Sequence, residues 1–179
     1  MLNWDTLPGR SFAEHGDHMS SEQWRSGFAL LARMGLRFDM QIWPNQMLEA
    51  TGLVASHEDA RVALNHTGFP IDRDAASMQL WRDGMRALAS QPNVFVKISG
   101  LGMLDHQWTA DSIRPIVLET IEIFGVDRCM FASNFPVDKL YSDYASIFRG
   151  FSEITADFTA DERARLFAGT AQDFYALGT

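Results

Sequence analysis

The clearest strand ending in the sequence is Arg128-Cys-Met-Phe-Ala-Ser-Asn-Phe-Pro-Val-Asp138. Its apolar run stops at Ser133 and Asn134, and Pro136 then has no N–H to donate to a sheet ladder. Buried parallel strands are continuous apolar runs of this kind. We therefore expect this segment to be a buried strand whose polar end lies at a functional rim.

Three earlier segments end in the same way. They are Leu36–Gln41, Arg61–His66 and Val94–Ser99, and each runs into a turn rich in Gly or Pro. Helical patterns of about four turns separate the four strands, so that the strand ends recur about every 30 residues. This alternation predicts βαβ units and a parallel sheet.

The helices between and after the strands are predicted from apolar spacing and capping residues. A capping box at Ser20-Ser-Glu-Gln23 and another at Thr159-Ala-Asp-Glu162 mark two helix starts, and Thr109 caps a third. The short segment Met1–Trp4 is interpreted as the tail of a strand. The predicted helices cover about 20–34, 45–55, 75–90, 110–124, 141–154, 159–167 and 171–177.

Two architectures are compatible with this pattern. A doubly wound sheet holds four or five strands at 179 residues, whereas a closed (β/α)₈ barrel needs about 250 residues. The sequence contains neither G-x-G-x-x-G nor G-x-x-x-x-G-K-[ST], which argues against a nucleotide-binding sheet. Polar residues at every strand end favour the barrel, where chemistry lies at the carboxyl ends of the strands. Periodicity alone leaves the choice open.

Composition excludes several classes of function. A net charge of −8, a pI near 5.0 and the absence of any Lys/Arg cluster argue against nucleic-acid binding. No apolar run is long enough for a membrane span, and the N-terminus has no signal-peptide pattern. The single cysteine, Cys129, precludes an internal disulfide and fits a reducing cytoplasm. We expect it to be a buried core residue.

His66 is the sharpest candidate for chemistry, because a neutral imidazole at a strand end can bind a metal ion or transfer a proton. The alternative is a structural histidine that bonds to a neighbouring loop. Lys97 and Ser99 alternate with apolar residues on one strand. Lys97 is suited to a substrate carboxylate or a polarised carbonyl, and its structural alternative is an ion pair such as one with Asp39.

Asn134 and Asp138 frame the end of the opening strand. Asn134 can orient a water molecule or a substrate oxygen, whereas Asp138 can act as a general base if its turn brings it over the rim. The alternative for Asp138 is an exposed loop carboxylate. Further candidates for a substrate-binding wall are Gln41, Trp4, Trp43, Arg73 and His106.

Several motifs together resemble the amidohydrolase-related (amidohydrolase 2) family of metal-dependent hydrolases. They are Leu64-Asn-His66-Thr-Gly, Val96-Lys-Ile-Ser-Gly-Leu101, Phe124–Asp138 and the closing Leu166–Tyr175, and their order and spacing match the family over essentially the whole chain. The resemblance implies a (β/α)₈ TIM-barrel hydrolase, often a lactonase that acts on sugar-acid or dicarboxylate lactones. Some relatives are decarboxylases.

The resemblance also implies a set of site residues. Members normally carry His-x-His on the first strand, a histidine on a later strand and an Asp on the last. His66 matches the later histidine, as a catalytic residue and metal ligand. Asn134 stands where many members have the catalytic Asp, which removes the usual general base and one metal ligand unless Asp138 substitutes. The family implies a divalent metal, Zn or Mn, but no His-x-His exists in this sequence, which leaves open whether this chain binds one.

The chain is thus expected to be a single α/β domain over 1–179, namely the four or five C-terminal βα units of a partial (β/α)₈ barrel and part of a longer, truncated enzyme. Three hypotheses follow for a cytoplasmic protein with a small-molecule substrate. It is a lactone hydrolase, a decarboxylase of the same superfamily, or a non-catalytic half-barrel that works by self- or hetero-association through exposed sheet edges.

Overall fold

The computed structural model describes residues 1–178. The chain divides into two compact units, Met1–Phe95 and a second that begins at Val96. The expectation of one domain over 1–179 is not tested by this division and stays a prediction. No helix within residues 1–178 has the length and apolar character needed to cross a membrane.

The first unit contains three helices and two complete strands. In chain order they are α1 (Glu22–Arg33), β1 (Arg37–Met40), α2 (Met47–Ala55), β2 (Arg61–Leu64) and α3 (Ala75–Ala89). Strand β3 (Val94–Ile98) begins in this unit and continues into the second. A short helical turn, His66–Gly68, follows β2.

The second unit continues with α4 (Ala110–Phe124), β4 (Cys129–Phe131) and α5 (Tyr144–Ile154). It ends with α6 (Ala160–Ala164), a π-helical turn at Arg165–Gly169, and α7 (Thr170–Tyr175). Two short helical turns follow the strands, Leu101–Met103 after β3 and Val137–Leu140 after β4.

The strands form the predicted parallel sheet in the order β1-β2-β3-β4. Arg37 pairs with Arg61 and Met40 with Leu64 between β1 and β2, and Ile98 pairs with Phe131 between β3 and β4. Because paired strands run in the same direction, their carboxyl ends lie at the same edge of the sheet. The loops after β1 and β2 therefore lie side by side, and so do those after β3 and β4.

Each unit has an apolar core of its own. In the first unit Met47 of α2 packs against Gly84 of α3, where an added Cβ would lie 2.6 Å from the methionine sulfur. In the second unit the ring of Phe131 stacks on Phe151 of α5 at a centroid distance of 4.3 Å. Aromatic side chains bury large areas at such contacts, and they fix the helices against the strands.

Most predicted elements are confirmed, with differences at their ends. The helix caps Thr109 and Thr159 are confirmed, whereas α1 is capped by Ser21 rather than Ser20, since Ser21 Oγ accepts from Trp24 N. Residues 1–4 are not a strand, although Leu2 N donates to Gln41 O at 3.0 Å. Cys129 is buried, as predicted, and burial raises the pKa of its thiol.

Candidate functional site

Two strand ends contain residues with left-handed backbone conformations. Four non-glycine residues there have left-handed conformations, namely His66 (φ 56°), Thr67 (φ 52°), Phe69 (φ 53°) and Asn134 (φ 54°). For an L-residue other than Gly, Asn or Asp, this conformation costs about 1–2 kcal/mol. Such outliers cluster at functional sites, where the surrounding structure holds them. The turn after β2 is therefore one candidate site. The turn after β4 is the other because it holds the predicted residues Asn134 and Asp138, although Asn adopts this conformation at little cost.

The turn after β2 is held by its neighbours. Phe69 N donates to His66 O at 2.9 Å, and the buried indole Nε1 of Trp81 donates to Thr67 O at 2.7 Å. At Gly68, which has a φ of 68°, an added Cβ would lie 2.1 Å from Cε of Met47. Contacts with α2 and α3 thus impose the left-handed conformation and hold His66 at the end of β2.

The imidazole of His66 belongs to an aromatic cluster. Its ring lies edge-on to Phe69 at 4.8 Å, and Phe69 lies edge-on to Trp43 at 5.0 Å. Trp43 Nε1 in turn donates to Arg10 O at 2.8 Å. The residues that follow β1 and β2 and the loop before α1 therefore meet in one region of the first unit.

An ion pair that sequence reasoning missed lies in the same region. Arg10 donates to Asp72 through both terminal guanidinium nitrogens, Nη1 and Nη2, and the Nη2–Oδ1 distance is 3.0 Å. This hydrogen bond lowers the pKa of Asp72 below its ordinary value. The partners are 62 residues apart in the chain, in two loops without a recognisable motif, so no local sequence signal could have found them.

The turn after β4 joins the predicted residues Asn134 and Asp138. Asn134 Nδ2 donates to Asp138 Oδ1 at 2.9 Å, and Asp138 N donates to Asn134 O at 3.2 Å. Asp138 is only 3% exposed, so it is not an exposed loop carboxylate. Burial raises the pKa of its carboxyl group, and the hydrogen bond from Asn134 partly opposes that rise.

The surroundings of Asp138 are largely apolar. A small cavity of the second unit is lined by Asp138 together with Leu101, Trp108, Ile113 and Phe151. A carboxyl group with a raised pKa in such a cleft is typical of a general acid or base. The chemistry open to this pair is thus proton transfer near the end of β4.

The other predicted residues of the second unit lie around this turn, on β3 or directly after β3. The exposed ring of His106 stacks on Tyr141 at 4.3 Å, and Tyr141 N donates to Asp138 O at 3.0 Å. Lys97 Nζ lies 5.2 Å from the ring centroid of Tyr175, a cation–π contact. Ser99 is buried.

The remaining predicted residues lie in the first unit. Trp4 N donates to Gln46 Oε1 at 3.0 Å, and Gln41 Nε2 lies 3.1 Å from the sulfur of Met1. Arg73 is exposed, and its Nε donates to Pro70 O at 3.0 Å. Sequence reasoning missed Gln46, which is buried. Its Oε1 accepts from Trp43 N as well as from Trp4 N, so Gln46 ties the N-terminal segment to the loop after β1.

A known protein family matches nearly the whole chain. The model of the family described as Amidohydrolase matches residues 9–177. The chain belongs to the amidohydrolase family. The predicted family is thus confirmed. The predicted partial (β/α)₈ barrel is also confirmed, because this chain, with its four-stranded parallel sheet, matches about three fifths of the length of an amidohydrolase barrel.

Similar proteins include an uncharacterized protein, y4mH, of Sinorhizobium fredii, which is 45% identical over 97% of this chain and 58% of its own length. The L-fucono-1,5-lactonase of Burkholderia multivorans is 30% identical over 97% of this chain and 60% of its own length. A crystal structure of an amidohydrolase from Burkholderia multivorans with bound zinc has a TM-score of 0.85 at 26% identity, and the match covers 90% of this chain and 60% of that one. The chain spans about three fifths of the length of these relatives.

The zinc in that structure raises the question of whether this chain's residues fit a metal ion. Within residues 1–178, no three His, Cys, Asp or Glu side chains come together as a set that could hold one. Three protein ligands are the usual minimum at a catalytic zinc site. The described residues therefore do not make up such a site by themselves, and a metal role for His66 stays a prediction.

Proposed function

We propose that this amidohydrolase-family chain takes part in the hydrolysis of a lactone, with Asp138 as the general base. The observation that carries the proposal is the buried carboxyl group of Asp138, which has a raised pKa and accepts a hydrogen bond from Asn134. Similarity to an L-fucono-1,5-lactonase over 97% of the chain supports the reaction class. The chain covers 60% of that relative, so the activity of the longer protein belongs to the proposal as well.

The reaction needs one water molecule. The Asp138 carboxylate removes a proton from water as the water oxygen bonds to the lactone carbonyl carbon. The tetrahedral intermediate then collapses, the bond from the carbonyl carbon to the ring oxygen breaks, and the ring oxygen takes up the proton. The product is an open hydroxy acid, and the carboxylate of Asp138 is regenerated.

Two further residues have proposed roles. Lys97, a cation on β3, stabilises the oxyanion of the intermediate. His66, at the end of β2, is the second candidate for activating water. The two candidate bases are separated by replacing each in turn, Asp138 by Asn and His66 by Gln.

The experiment is to follow the opening of L-fucono-1,5-lactone by the purified chain with a pH indicator, alone and with added Zn²⁺ or Mn²⁺. We expect Asp138→Asn to lower the rate by about 10²–10⁴-fold, the usual contribution of a positioned general base. A matched control is Asp143→Asn, at an exposed helix cap of the same unit. The proposal fails if no γ- or δ-lactone is opened under any of these conditions, or if Asp138→Asn retains full activity while His66→Gln does not.

The association hypothesis is a separate proposal. A strand at the edge of a sheet exposes unpaired backbone groups, which another chain can cover. Size-exclusion chromatography with light scattering tests this, since a monomer at high concentration would contradict self-association. The decarboxylase alternative stays a prediction that no contact in the described residues favours over the lactonase.

A further inference from the structure

Asp138 lies where a substrate does not reach it. The residue is only 3% exposed, and in the cavity beside it the centre of a water molecule has about 10 Å³ of space. This is close to the minimum for a single water molecule, so a lactone ring has no room there. A general base has to come within hydrogen-bond reach of the proton that it removes. Part of the structure around Asp138 therefore has to move before this residue can act.

The lining of this cavity comes from one loop and two helices. Ile113 of α4 and Ile147 and Phe151 of α5 are at most 5% exposed and belong to the core of the second unit. We refer to residues 100–108 as the β3–α4 loop. Apart from Asp138, this loop supplies the rest of the lining, namely Gly100, Leu101, Gly102 and Trp108. The turn that carries Asp138 is thus closed against this loop and two core helices.

The β3–α4 loop is fixed to the two helices. Ser112 Oγ of α4 donates to Asp105 Oδ2 at 2.9 Å. Trp108 packs against α5, since a Cβ added at Gly150 would lie 3.0 Å from Cζ3 of the indole. Close contacts of this kind leave the loop little room for movement.

The turn after β4, residues 134–142, is held less firmly. Within the described part of the chain, all of its hydrogen bonds stay inside residues 133–143. Val137 is 44% exposed and Leu140 is 77% exposed, so neither side chain packs into the core. Segments with few buried contacts and no hydrogen bonds to their surroundings open locally at a small cost in free energy. The turn is therefore the part that can move, and Asp138 moves with it.

One aromatic pair joins this turn to the β3–α4 loop. The ring of Tyr141 lies on the ring of His106 with a centroid distance of 4.3 Å and an angle of 8° between the planes. The backbone of the loop also passes close to Tyr141, because a Cβ added at Gly102 would lie 3.3 Å from the Cβ of Tyr141. Tyr141 N donates to Asp138 O at 3.0 Å. The tyrosine that contacts the loop is thus hydrogen-bonded through its backbone to the proposed base.

We propose that the turn after β4 is a flap that carries Asp138, and that the stack of Tyr141 on His106 is the latch that holds the flap closed. Separation of the two rings lets the turn swing away from the β3–α4 loop. The carboxyl group of Asp138 then reaches the surface and keeps its hydrogen bond from Asn134, which lies in the same turn. The inference deepens the proposed function and rests on it, since exposure of Asp138 serves a reaction only if this residue is the base.

The test measures how fast Asp138 becomes accessible and needs no turnover. A water-soluble carbodiimide and glycine ethyl ester label the carboxyl groups of the full chain, and peptide mass spectrometry gives the rate at each position. Asp157, an exposed residue of the same unit, is the internal reference. We expect Asp138 to be labelled more slowly than Asp157, at a rate that urea below the unfolding transition does not change. A local opening has this property, whereas access through global unfolding increases with urea.

Variants of the latch should change that rate. Because stacked aromatic pairs stabilise the state that contains them, we expect His106→Ala to raise the labelling rate of Asp138 about three- to tenfold. His106→Phe keeps an aromatic ring against Tyr141 and should leave the rate near that of the unchanged chain. The matched control is Gln107→Ala, at the exposed neighbouring position of the same loop, which should have no effect.

The outcomes separate this inference from the proposed function. Slow labelling of Asp138 that rises in His106→Ala, but not in His106→Phe or Gln107→Ala, supports the flap and its latch even if no lactone is hydrolysed. Equal labelling of Asp138 and Asp157, or a rate that increases with urea, overturns the flap even if the chain proves to be a lactonase. An unchanged rate in His106→Ala, or an equal rise in His106→Phe or Gln107→Ala, overturns the latch.

Discussion

The amide of Asn134 donates a 2.9 Å hydrogen bond to the carboxylate of Asp138, and this bond opposes the effect of burial on the pKa of Asp138. Burial favours the protonated form and the hydrogen bond favours the ionised one, with burial the larger effect. Asn134 therefore sets how much of Asp138 is available as a base at a given pH.

Removing the amide should shift the pH dependence of catalysis. In Asn134→Gly the pKa of Asp138 rises further, so we expect the acidic limb of the rate profile to move to higher pH with little change in the plateau. Glycine is the best replacement because it adopts the φ of 54° without strain. Rates measured across the pH range give the midpoint, and an unshifted midpoint would show that Asp138 is not the base.

Asp138→Asn should make the chain more stable at neutral pH. Since the folded-state pKa lies above 3.8, the folded chain binds more protons than the unfolded chain between 3.8 and that value, and the free energy of unfolding falls as pH rises through this window. Asn does not titrate, so the free energy of unfolding of the variant does not fall in this way. Urea unfolding at neutral pH and near pH 4 should show a higher free energy of unfolding for the variant than for the unchanged chain only at neutral pH.

The control for that measurement is Asp143→Asn. The pKa of Asp143 is lowered by its hydrogen bonds to Ser146, so its ionised form stabilises the folded chain at neutral pH. That contribution is present above 3.8 and is lost as pH falls through the lower folded-state pKa. Asp143→Asn should therefore not raise the free energy of unfolding at neutral pH. A rise equal to that of Asp138→Asn would contradict the explanation by the raised pKa of Asp138.

Two helical glycines should respond in opposite ways to alanine. At Gly84 a Cβ would lie 2.6 Å from the sulfur of Met47, and such overpacking costs about 1–3 kcal/mol. At Gly27 of α1 no atom lies within 4 Å of an added Cβ, so alanine should raise the free energy of unfolding by about 0.5–1 kcal/mol through its higher helix propensity. Chemical denaturation shows whether each variant is more or less stable than the unchanged chain. A stabilising Gly84→Ala would mean that α2 and α3 pack less closely than this distance indicates.

The ion pair of Arg10 and Asp72 should hold the loop before α1 rather than the whole fold. Its side chains are 31% and 42% exposed, and pairs of that kind contribute about 0–1 kcal/mol. In Asp72→Asn we expect faster proteolytic cleavage after Arg10 but a nearly unchanged unfolding midpoint. Asp173→Asn, which breaks an ion pair with Arg165 in the second unit, serves as the comparison, and equal cleavage at Arg10 in both variants would argue against this role.

The sequence predicts the strands and several helix caps because those signals are local. Thr159 and Glu162 satisfy each other's backbone groups within four residues, and buried strands show their apolar runs directly. The bond between Asn134 and Asp138 is also local, but its burial depends on helices far along the chain. The pairing of Arg10 with Asp72 has no local signal at all.

The left-handed turn at His66 shows why tertiary contacts matter most at the site. A β-branched residue such as Thr67 is a genuine outlier at positive φ, so propensity argues against the observed conformation there. Trp81 holds the carbonyl of Thr67, and the space beside Gly68 is filled by Met47. Only a chain already folded around α2 and α3 supplies those contacts.

The bond between Asn134 and Asp138 also bears on how such a site changes over evolutionary time. Both residues lie in one turn of five residues, and their side chains meet there without help from a distant loop. A carboxylate at either position would therefore reach nearly the same point in space. Exchanging the acid between the two positions would take only two substitutions and would move it one turn along the chain, with the fold unchanged.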